Sequence, residues 1–192
     1  MTGVIILAAG SSSRLGQPKQ NLIYREKTLL QHAIDEARSS NANVVLVVLG
    51  ANEGRIASTL NSAKINIISN RNWQEGMSSS IRCGINLLAE KHQEITQVII
   101  MLCDQPFVDA DILNKLIEER ENSGKDIVAC QYDDTLGTPA LFTRSCFSAL
   151  QGLATGQGAK KLILENTGRV AVVHFPGGAK GIDTYQDYQS LI

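Results

Sequence analysis

The chain has 192 residues, of which 43% are hydrophobic and 19% are charged, and its formal net charge is -1. A balance this close to neutral argues against nucleic acid and anionic membranes as partners, because both attract proteins through excess positive charge. The length and apolar content predict one globular domain over residues 1–192 with a sizeable core.

The cysteines and the N-terminal segment give the sequence evidence on where in the cell the protein resides. The four cysteines are widely spaced and form no CxxC pair (Cys83, Cys103, Cys130 and Cys146). This favours reduced thiols in a cytoplasmic protein. The apolar run at the N-terminus is too short to span a membrane and lacks the basic flank of a signal peptide, so we interpret it as a first buried strand.

Along the chain, apolar runs of strand length alternate with amphipathic segments of helix length. We predict strands at Val4–Ala9, Val44–Leu49, Ile65–Ser69, Val98–Leu102, Ile127–Cys130 and Val170–His174. Several of these runs are continuously apolar, as is typical when helices cover both faces of a sheet. The pattern predicts a doubly wound, mainly parallel α/β sheet, in which ligands bind beyond the carboxyl ends of the strands.

The helices that connect these strands carry recognisable start signals. Thr28 and Gln31 predict a capping box at the start of the first helix, and Asp109 predicts an N-cap for another. A third helix is predicted to begin near Met77, and the last is predicted over Tyr185–Leu191.

The first predicted strand runs directly into a loop rich in small residues, Gly10–Lys19. Small residues let the backbone approach a phosphate, and successive N–H groups can form a concavity that binds anions. Arg14 and Lys19 add the positive charge that a leaving pyrophosphate needs. A flexible turn with two solvated cations is the alternative. The loop has neither the GxxxxGK[ST] nor the GxGxxG spacing.

The full string LAAGSSSRLGQPK closely resembles the signature LAAGxSxRxGxxK of sugar-nucleotide-type nucleotidyltransferases. Within that group it is similar to the molybdenum cofactor cytidylyltransferases and other MobA-like proteins, and the resemblance runs from Ile5 to about Tyr188. It implies a single Rossmann-like nucleotidyltransferase domain of glycosyltransferase-A type. It also implies that the loop wraps a nucleoside triphosphate, with contacts from Leu7, Ala8, Ala9, Gly10, Ser11, Arg14 and Lys19. Guanylyl-transferring relatives typically have LAGG where this chain has LAAG, so the resemblance implies CTP or UTP.

The segment Asn72–Ser80 leads into a predicted helix whose start exposes N–H donors. A serine-rich helix cap is the structural alternative. The resemblance implies instead that the pattern GMxxS contacts the base, through Gly76, Met77 and Ser80. We expect Trp73 to pack at the root of this loop rather than to stack on a base.

Two aspartates follow strand ends and are candidate ligands for Mg²⁺, which binds one or two carboxylates together with phosphate oxygens. Asp104 follows a predicted strand within CDQP, the string in which the resembled family presents its metal-binding aspartate, which also contacts the nucleotide. Asp183 lies in GIDTYQDY, which resembles DIDTPEDY, with Gly181 in place of an acid and Tyr185 in place of proline. The alternative is that Asp183 or Thr184 caps the last helix.

Two further segments resemble the acceptor side of the family. Gly137–Phe142 resembles GxPALF, and Gly156–Lys160 resembles GDxGAR without its acid and with lysine for arginine. The resemblance implies that Thr138, Pro139 and Lys160 contact the acceptor, and a solvated lysine is the alternative for Lys160.

The resemblance as a whole implies Mg²⁺-dependent transfer of CMP from CTP to molybdopterin, with release of pyrophosphate and Arg14, Lys19 and Asp104 as catalytic residues. A transient contact with the molybdoenzyme that receives the product is a further expectation. The alternatives are molybdopterin with GTP, other phosphorylated acceptors (methylerythritol phosphate or a sugar 1-phosphate), and a non-catalytic nucleotide-binding module. A dehydrogenase is disfavoured because the glycine fingerprint is missing.

Overall fold

A seven-stranded sheet organises the chain in the computed structural model, which describes residues 1–60 and 65–191. In chain order, the strands are β1 (Thr2–Leu7), β2 (Ile23–Tyr24), β3 (Lys27–Thr28), β4 (Val44–Leu49), β5 (Asn66–Ser69), β6 (Gln97–Leu102), β7 (Ile127–Tyr132), β8 (Thr135–Thr143) and β9 (Val170–His174). The sheet has the order β5-β4-β1-β6-β8-β7-β9, and β2 and β3 form a separate antiparallel hairpin.

The sheet is mainly parallel, as the sequence predicts. Each of the six predicted strands is present; two have the predicted bounds, and the other four differ by one or two residues at one or both ends. The β1 strand pairs in parallel with β4 and β6, β4 with β5, and β7 with β9. The exception is β8, which lies antiparallel between β6 and β7.

The β8 strand was not among the predicted strands, because its Gly137 and Pro139 weaken the strand pattern. The pairing with β7 explains how the proline is accommodated. Ala129 pairs with Ala140, whereas the next residue, Cys130, pairs with Gly137. This irregularity leaves Pro139 outside the ladder, so its missing N–H removes no strand-to-strand hydrogen bond.

Seven α-helices connect and flank the strands in the described residues. They are α1 (Leu29–Ser39), α2 (Glu53–Ala57), α3 (Met77–Lys91), α4 (Ala110–Ser123), α5 (Phe147–Gln151), α6 (Ala159–Glu165) and α7 (Tyr185–Gln189). Both predicted N-caps are present: the Thr28 hydroxyl accepts a hydrogen bond from the N–H of Gln31 (3.1 Å), and the Asp109 carboxylate accepts one from Ile112 (2.9 Å). The side-chain amide of Gln31, which was predicted to complete a capping box with Thr28, donates to Asp35 (2.8 Å).

Helices cover both faces of the sheet, which confirms the doubly wound prediction. Successive residues of β1 point to opposite faces, so Ile6 packs in the core beneath α1 and α4, while Ile5 packs in the core beneath α3, α5 and α6. The helices therefore cover both faces of the sheet, and the carboxyl ends of β1 and β6 are left to line a cavity. None of the helices in the described part of the chain has the length and hydrophobicity to cross a bilayer.

Candidate active site

A cavity of about 200 Å³ opens at the carboxyl edge of β1 and β6. Its walls come from the loop after β1, the segment that starts α3, and the end of β6. The lining residues are Leu7, Ala8, Ala9, Gly10, Lys19, Gln20, Trp73, Gly76, Met77, Ser80, Leu102, Cys103 and Asp104. The fold thus brings together three segments that are far apart in sequence, and it does so where ligands bind in sheets of this kind.

A second cavity of about 130 Å³ lies beside the first and shares Gly10 and Lys19 with it. Its other walls are Ser12, Ser13, Arg14 and Asp183. The Arg14 side chain is 68% exposed and is therefore accessible to an incoming anion. Ser11, also a predicted nucleotide contact, is exposed and lines neither of these two cavities.

Lys19 joins the two predicted metal ligands. Its Nζ donates to Oδ2 of Asp104 and, at 2.9 Å, to Oδ1 of Asp183, while a guanidinium nitrogen of Arg14 lies 3.2 Å from Oδ2 of Asp183. Burial by itself lowers the pKa of Lys19, but the charge and hydrogen bond of Asp104 outweigh it and raise the pKa above its ordinary value. The hydrogen bond from Lys19 lowers the pKa of Asp183. Lys19 and Asp183 are therefore both charged at neutral pH.

The segment that carries Asp183 is fixed by its neighbours. The N–H of Ile182 donates to the backbone oxygen of Asp104 (3.0 Å), and the Ile182 side chain is buried in a small apolar cluster with Leu22 and Leu29. Thr184 caps α7 through a capping box with Asp187, so the capping role falls to Thr184. The carboxylate of Asp183 is thereby left to face Lys19 and Arg14.

The donor set fits a divalent cation of the hard, oxygen-preferring kind. Asp104 and Asp183 reach one common cationic group, the Lys19 ammonium, from two separate segments of the chain. The described residues contain no group of three or more histidine, cysteine, aspartate or glutamate side chains that could hold a metal. Two carboxylates suit Mg²⁺ when a bound nucleotide supplies phosphate oxygens, so Asp104 and Asp183 could hold the ion together with such a ligand.

The segment before α3 forms the opposite wall of the larger cavity. Gly76 has φ +91°, a backbone conformation that favours glycine, and this turn places Met77 at the first position of α3. The buried Ser80 hydroxyl accepts a hydrogen bond from the side-chain amide of Asn70 (3.0 Å). Trp73, predicted to be a packing residue, lines the cavity and also packs closely on Gly50.

The three predicted acceptor contacts line neither of these two cavities. Thr138 and Pro139 are buried within β8, and the Thr138 hydroxyl donates to the side chain of Gln105 (3.4 Å). Lys160 is exposed in the first turn of α6. The structure therefore does not gather them at the cavity walls, and their roles stay predictions.

The segment that carries Lys160 does contact the site in another way. The N–H of Gly156 donates to the backbone oxygen of Glu75 (3.1 Å). A Cβ on Gly158 would lie 2.8 Å from the sulfur of Met77, so a larger residue at this position would displace the Met77 side chain. This glycine-rich segment thus supports the wall formed by Gly76 and Met77.

Two buried glutamines belong to the site's framework but were not among the predicted site residues. Gln20 donates to the backbone oxygens of Ala8 and Gly10, and Gln105 donates to those of Thr138 and Gly178. A glutamine beside a signature lysine or aspartate looks like an ordinary polar loop residue. Only the fold reveals that each is buried with its hydrogen bonds satisfied.

The geometry agrees with a comparison against protein families, in which the model described as "MobA-like NTP transferase domain" matches residues 4–170. The chain belongs to this family. Its membership confirms the nucleotidyltransferase resemblance drawn from the loop after β1, and Asp183 lies beyond the matched residues.

Individual relatives of this MobA-like chain are diverse. It is 33% identical over 118 residues to "Nicotine blue oxidoreductase" of Paenarthrobacter nicotinovorans, a match covering 61% of this chain and 55% of that protein. It is 26% identical over 142 residues to "Bifunctional protein GlmU" of Bifidobacterium longum subsp. infantis, covering 71% of this chain. The match spans only 31% of the length of that GlmU protein.

Among solved structures, Rv0371c of Mycobacterium tuberculosis H37Rv is similar over its whole length. It is 29% identical, with a TM-score of 0.85, and the match covers 99% of this chain and 96% of that one. A structure of Rv0371c in complex with manganese matches with a TM-score of 0.78 and 27% identity, covering 99% of this chain and 97% of the other.

Proposed function

We propose that this MobA-like transferase moves CMP from CTP to molybdopterin and releases pyrophosphate. The observation that carries the proposal is the convergence of Arg14, Lys19, Asp104 and Asp183 where the two cavities meet. The larger, mostly apolar cavity suits the nucleoside, and the smaller, charged one suits its phosphates.

In this proposal the two cations bind the phosphates. Lys19 lies at the wall shared by both cavities, and Arg14 is exposed at the rim of the smaller one. Both would contact the β- and γ-phosphates and stabilise the negative charge that grows on the leaving pyrophosphate. Gly76, Met77 and Ser80 would contact the base from the opposite wall.

We propose Mg²⁺ as the cofactor, held by Asp104 and Asp183 together with phosphate oxygens. When bound, the ion supplies charge neutralisation and orients the α-phosphate. The manganese complex of Rv0371c supports a divalent cation in this family.

The reaction itself needs few protein groups. A phosphate oxygen of the acceptor attacks the α-phosphorus in line, a new P–O bond forms, and the bond between the α-phosphorus and its bridging oxygen breaks as pyrophosphate leaves. The acceptor phosphate is already ionised at neutral pH, so no general base is required. The chain contributes position and charge.

The choice of CTP and molybdopterin rests on the joint occurrence of LAAG, GMSSS and CDQP in the sequence. Other phosphorylated acceptors, or GTP, would use the same phosphate site. A cytoplasmic location and delivery of the product to a molybdoenzyme follow from this choice and are part of the proposal.

A second candidate arises because one relative is named an oxidoreductase. Redox chemistry through a cysteine is disfavoured at the larger cavity, since burial raises the pKa of its Cys103 thiol to about 12 and keeps it protonated. An oxidoreductase activity at this cavity would therefore use a bound nicotinamide nucleotide to reduce the substrate.

The deciding experiment measures pyrophosphate release with CTP, GTP, UTP or ATP and Mg²⁺, with and without molybdopterin. We expect release only with CTP and molybdopterin together. If pyrophosphate release requires an acceptor other than molybdopterin, the nucleotidyltransferase activity is supported and molybdopterin is not the substrate. No release with any triphosphate, combined with oxidation of NADH or NADPH by the same preparation, would favour the oxidoreductase candidate.

A further inference from the structure

We infer that Gln20 is a positioning residue that shapes the loop after β1 into a receptor for the triphosphate. The inference rests on the proposed nucleotide site and assigns to Gln20, which lies on the wall of the larger cavity, a role exerted through the backbone of the loop. It starts from the surroundings of Gln20, which is fully buried although its side chain is polar.

The side chain of Gln20 ties three points of the loop together. Its Nε2 donates to the backbone oxygens of Ala8 (2.8 Å) and Gly10 (3.0 Å), which uses both amide hydrogens. Its Oε1 accepts from the hydroxyl of Ser12 (3.4 Å), whose Oγ in turn accepts from the N–H of Lys19 (3.0 Å). The loop is therefore held from its inner side, and the network ends at the backbone of the lysine that contacts both carboxylates.

Because peptide bonds are planar, the hydrogen bonds made by Gln20 also fix the direction of the neighbouring N–H groups. In a trans peptide, the C=O of one residue and the N–H of the next point in opposite directions. Because the oxygens of Ala8 and Gly10 face Gln20, the N–H groups of Ala9 and Ser11 face away from it. Among the described residues, neither N–H donates to a protein acceptor. Free backbone donors on a short loop are groups that an anion can bind.

Glutamine suits this position because it is neutral and has two donors on one nitrogen. A lysine there would place a charge in a fully buried site, and an apolar residue would leave the buried carbonyl oxygen of Ala8 and the partly buried one of Gly10 without this donor. Without the hydrogen bonds from Gln20, we expect the peptides after Ala8 and Gly10 to rotate, so that the N–H groups of Ala9 and Ser11 no longer both face away from residue 20.

The test compares the affinity of wild type and Gln20→Met for CTP, CMP and tripolyphosphate by calorimetry. Methionine keeps the length of the side chain but cannot donate. We expect Gln20→Met to bind CTP and tripolyphosphate roughly ten- to a hundredfold more weakly, because the loop N–H groups would lose their hydrogen bonds to the charged phosphates. Affinity for CMP, which lacks the β- and γ-phosphates, should stay near that of wild type.

Thr143→Val is the matched control. Thr143 is a buried polar residue at the end of the sheet away from the cavity. It pairs with Gln97 at the start of β6, and its hydroxyl donates to Asp126 (2.9 Å). This variant should lose thermal stability as Gln20→Met does, yet bind CTP as wild type does. A loss of CTP affinity that appears equally in Thr143→Val would attribute the effect to general instability and overturn the inference.

A measurement on the wild type makes the inference independent of how the variant folds. We expect the amide resonances of Ala9 and Ser11 to shift when tripolyphosphate is added. If wild type binds tripolyphosphate while these two amides stay unchanged, or Gln20→Met binds as wild type does, the role of Gln20 is wrong and the proposed function stands. If wild type binds neither CTP nor tripolyphosphate, the proposed function itself fails.

Discussion

At the scale of single residues, the charge at the site is concentrated in two cations and two carboxylates, and Lys19 lies at their centre. Lys19 contacts both Asp104 and Asp183, although these residues follow different strands of the chain. Each carboxylate reduces the cost of burying the lysine, and the lysine reduces their mutual repulsion. A change at one member therefore alters the electrostatic environment of the others.

Replacing Asp104 by asparagine tests this arrangement without a change of shape. The variant loses a proposed metal ligand and a partner of Lys19, so we expect turnover to fall by at least about a hundredfold. Pyrophosphate release measures the effect, and circular dichroism verifies the fold. Asp134→Asn makes the same chemical change in the exposed β7–β8 turn and should retain activity. Near-normal turnover in a folded Asp104→Asn variant would remove Asp104 from the mechanism.

Ala9 offers a test of base preference. It lines the larger cavity, and its methyl group is the difference between LAAG and the LAGG of guanylyl-transferring relatives. Ala9→Gly removes that methyl group and enlarges the cavity, so we expect kcat/KM for GTP to rise relative to that for CTP. The ratio of the two values is the measurement. An unchanged ratio would show that the base is selected elsewhere, with the segment around Met77 as the next place to test.

At the scale of elements, Asp126 links three strands at the sheet edge remote from the site. It directly precedes β7, accepts hydrogen bonds from Thr143 at the end of β8 and from Ser145 after it (both 2.9 Å), and pairs with Arg169 before β9 (2.6 Å). The hydrogen bonds from Arg169, Ser145 and Thr143 lower the pKa of Asp126 from 3.8 to about 2. The folded state thus favours the ionised carboxylate.

This pKa shift predicts a pH-dependent contribution to stability. A lowered folded-state pKa stabilises the protein above the unfolded-state value, and the contribution disappears as the pH falls from about 4 to about 2. We expect wild type to resist urea better than Asp126→Asn at neutral pH, with the difference shrinking over that acidic range. Urea unfolding at a series of pH values measures it. A difference that stays constant with pH, as expected for Asp134→Asn, would contradict the assignment.

Sequence patterns detect those strands of this sheet that are buried on both faces. Continuous apolar runs such as Val44–Leu49 identify strands buried on both faces, because every position must be apolar there. The β8 strand escaped detection since Pro139 is tolerated only through an irregular pairing with β7. That pairing depends on a neighbour in space, so a local pattern does not report it.

For the whole molecule, the topology gathers the site from distant parts of the chain. The positions of the phosphate loop and Asp104 follow from the rule that parallel strands end at one edge, and the family signature in the sequence marked both segments. The support given by Gln20 and by the Gly156–Gly158 segment was not predictable. These residues act through contacts with segments that only the fold brings next to them.

A site assembled from both ends of the chain predicts a specific response to ligand. CTP with a divalent cation would connect the loop after β1 to Asp183 near the C-terminus, and binding to the folded state alone stabilises it. At a hundred times the dissociation constant, the gain is about 2.7 kcal/mol. For a chain of this size, we expect a rise in Tm of roughly 5–10 °C.

Asp183→Asn should separate the contributions of nucleotide and metal. In wild type, adding Mn²⁺ to CTP should raise Tm beyond the effect of CTP alone. In the variant that extra rise should be largely lost, because one of the two carboxylates no longer carries charge, whereas Asp134→Asn should keep it. Thermal unfolding with CTP, Mn²⁺ or both measures each part. An equal metal-dependent rise in Asp183→Asn would show that the C-terminal segment does not hold the ion and that Asp104 binds it with the phosphates alone.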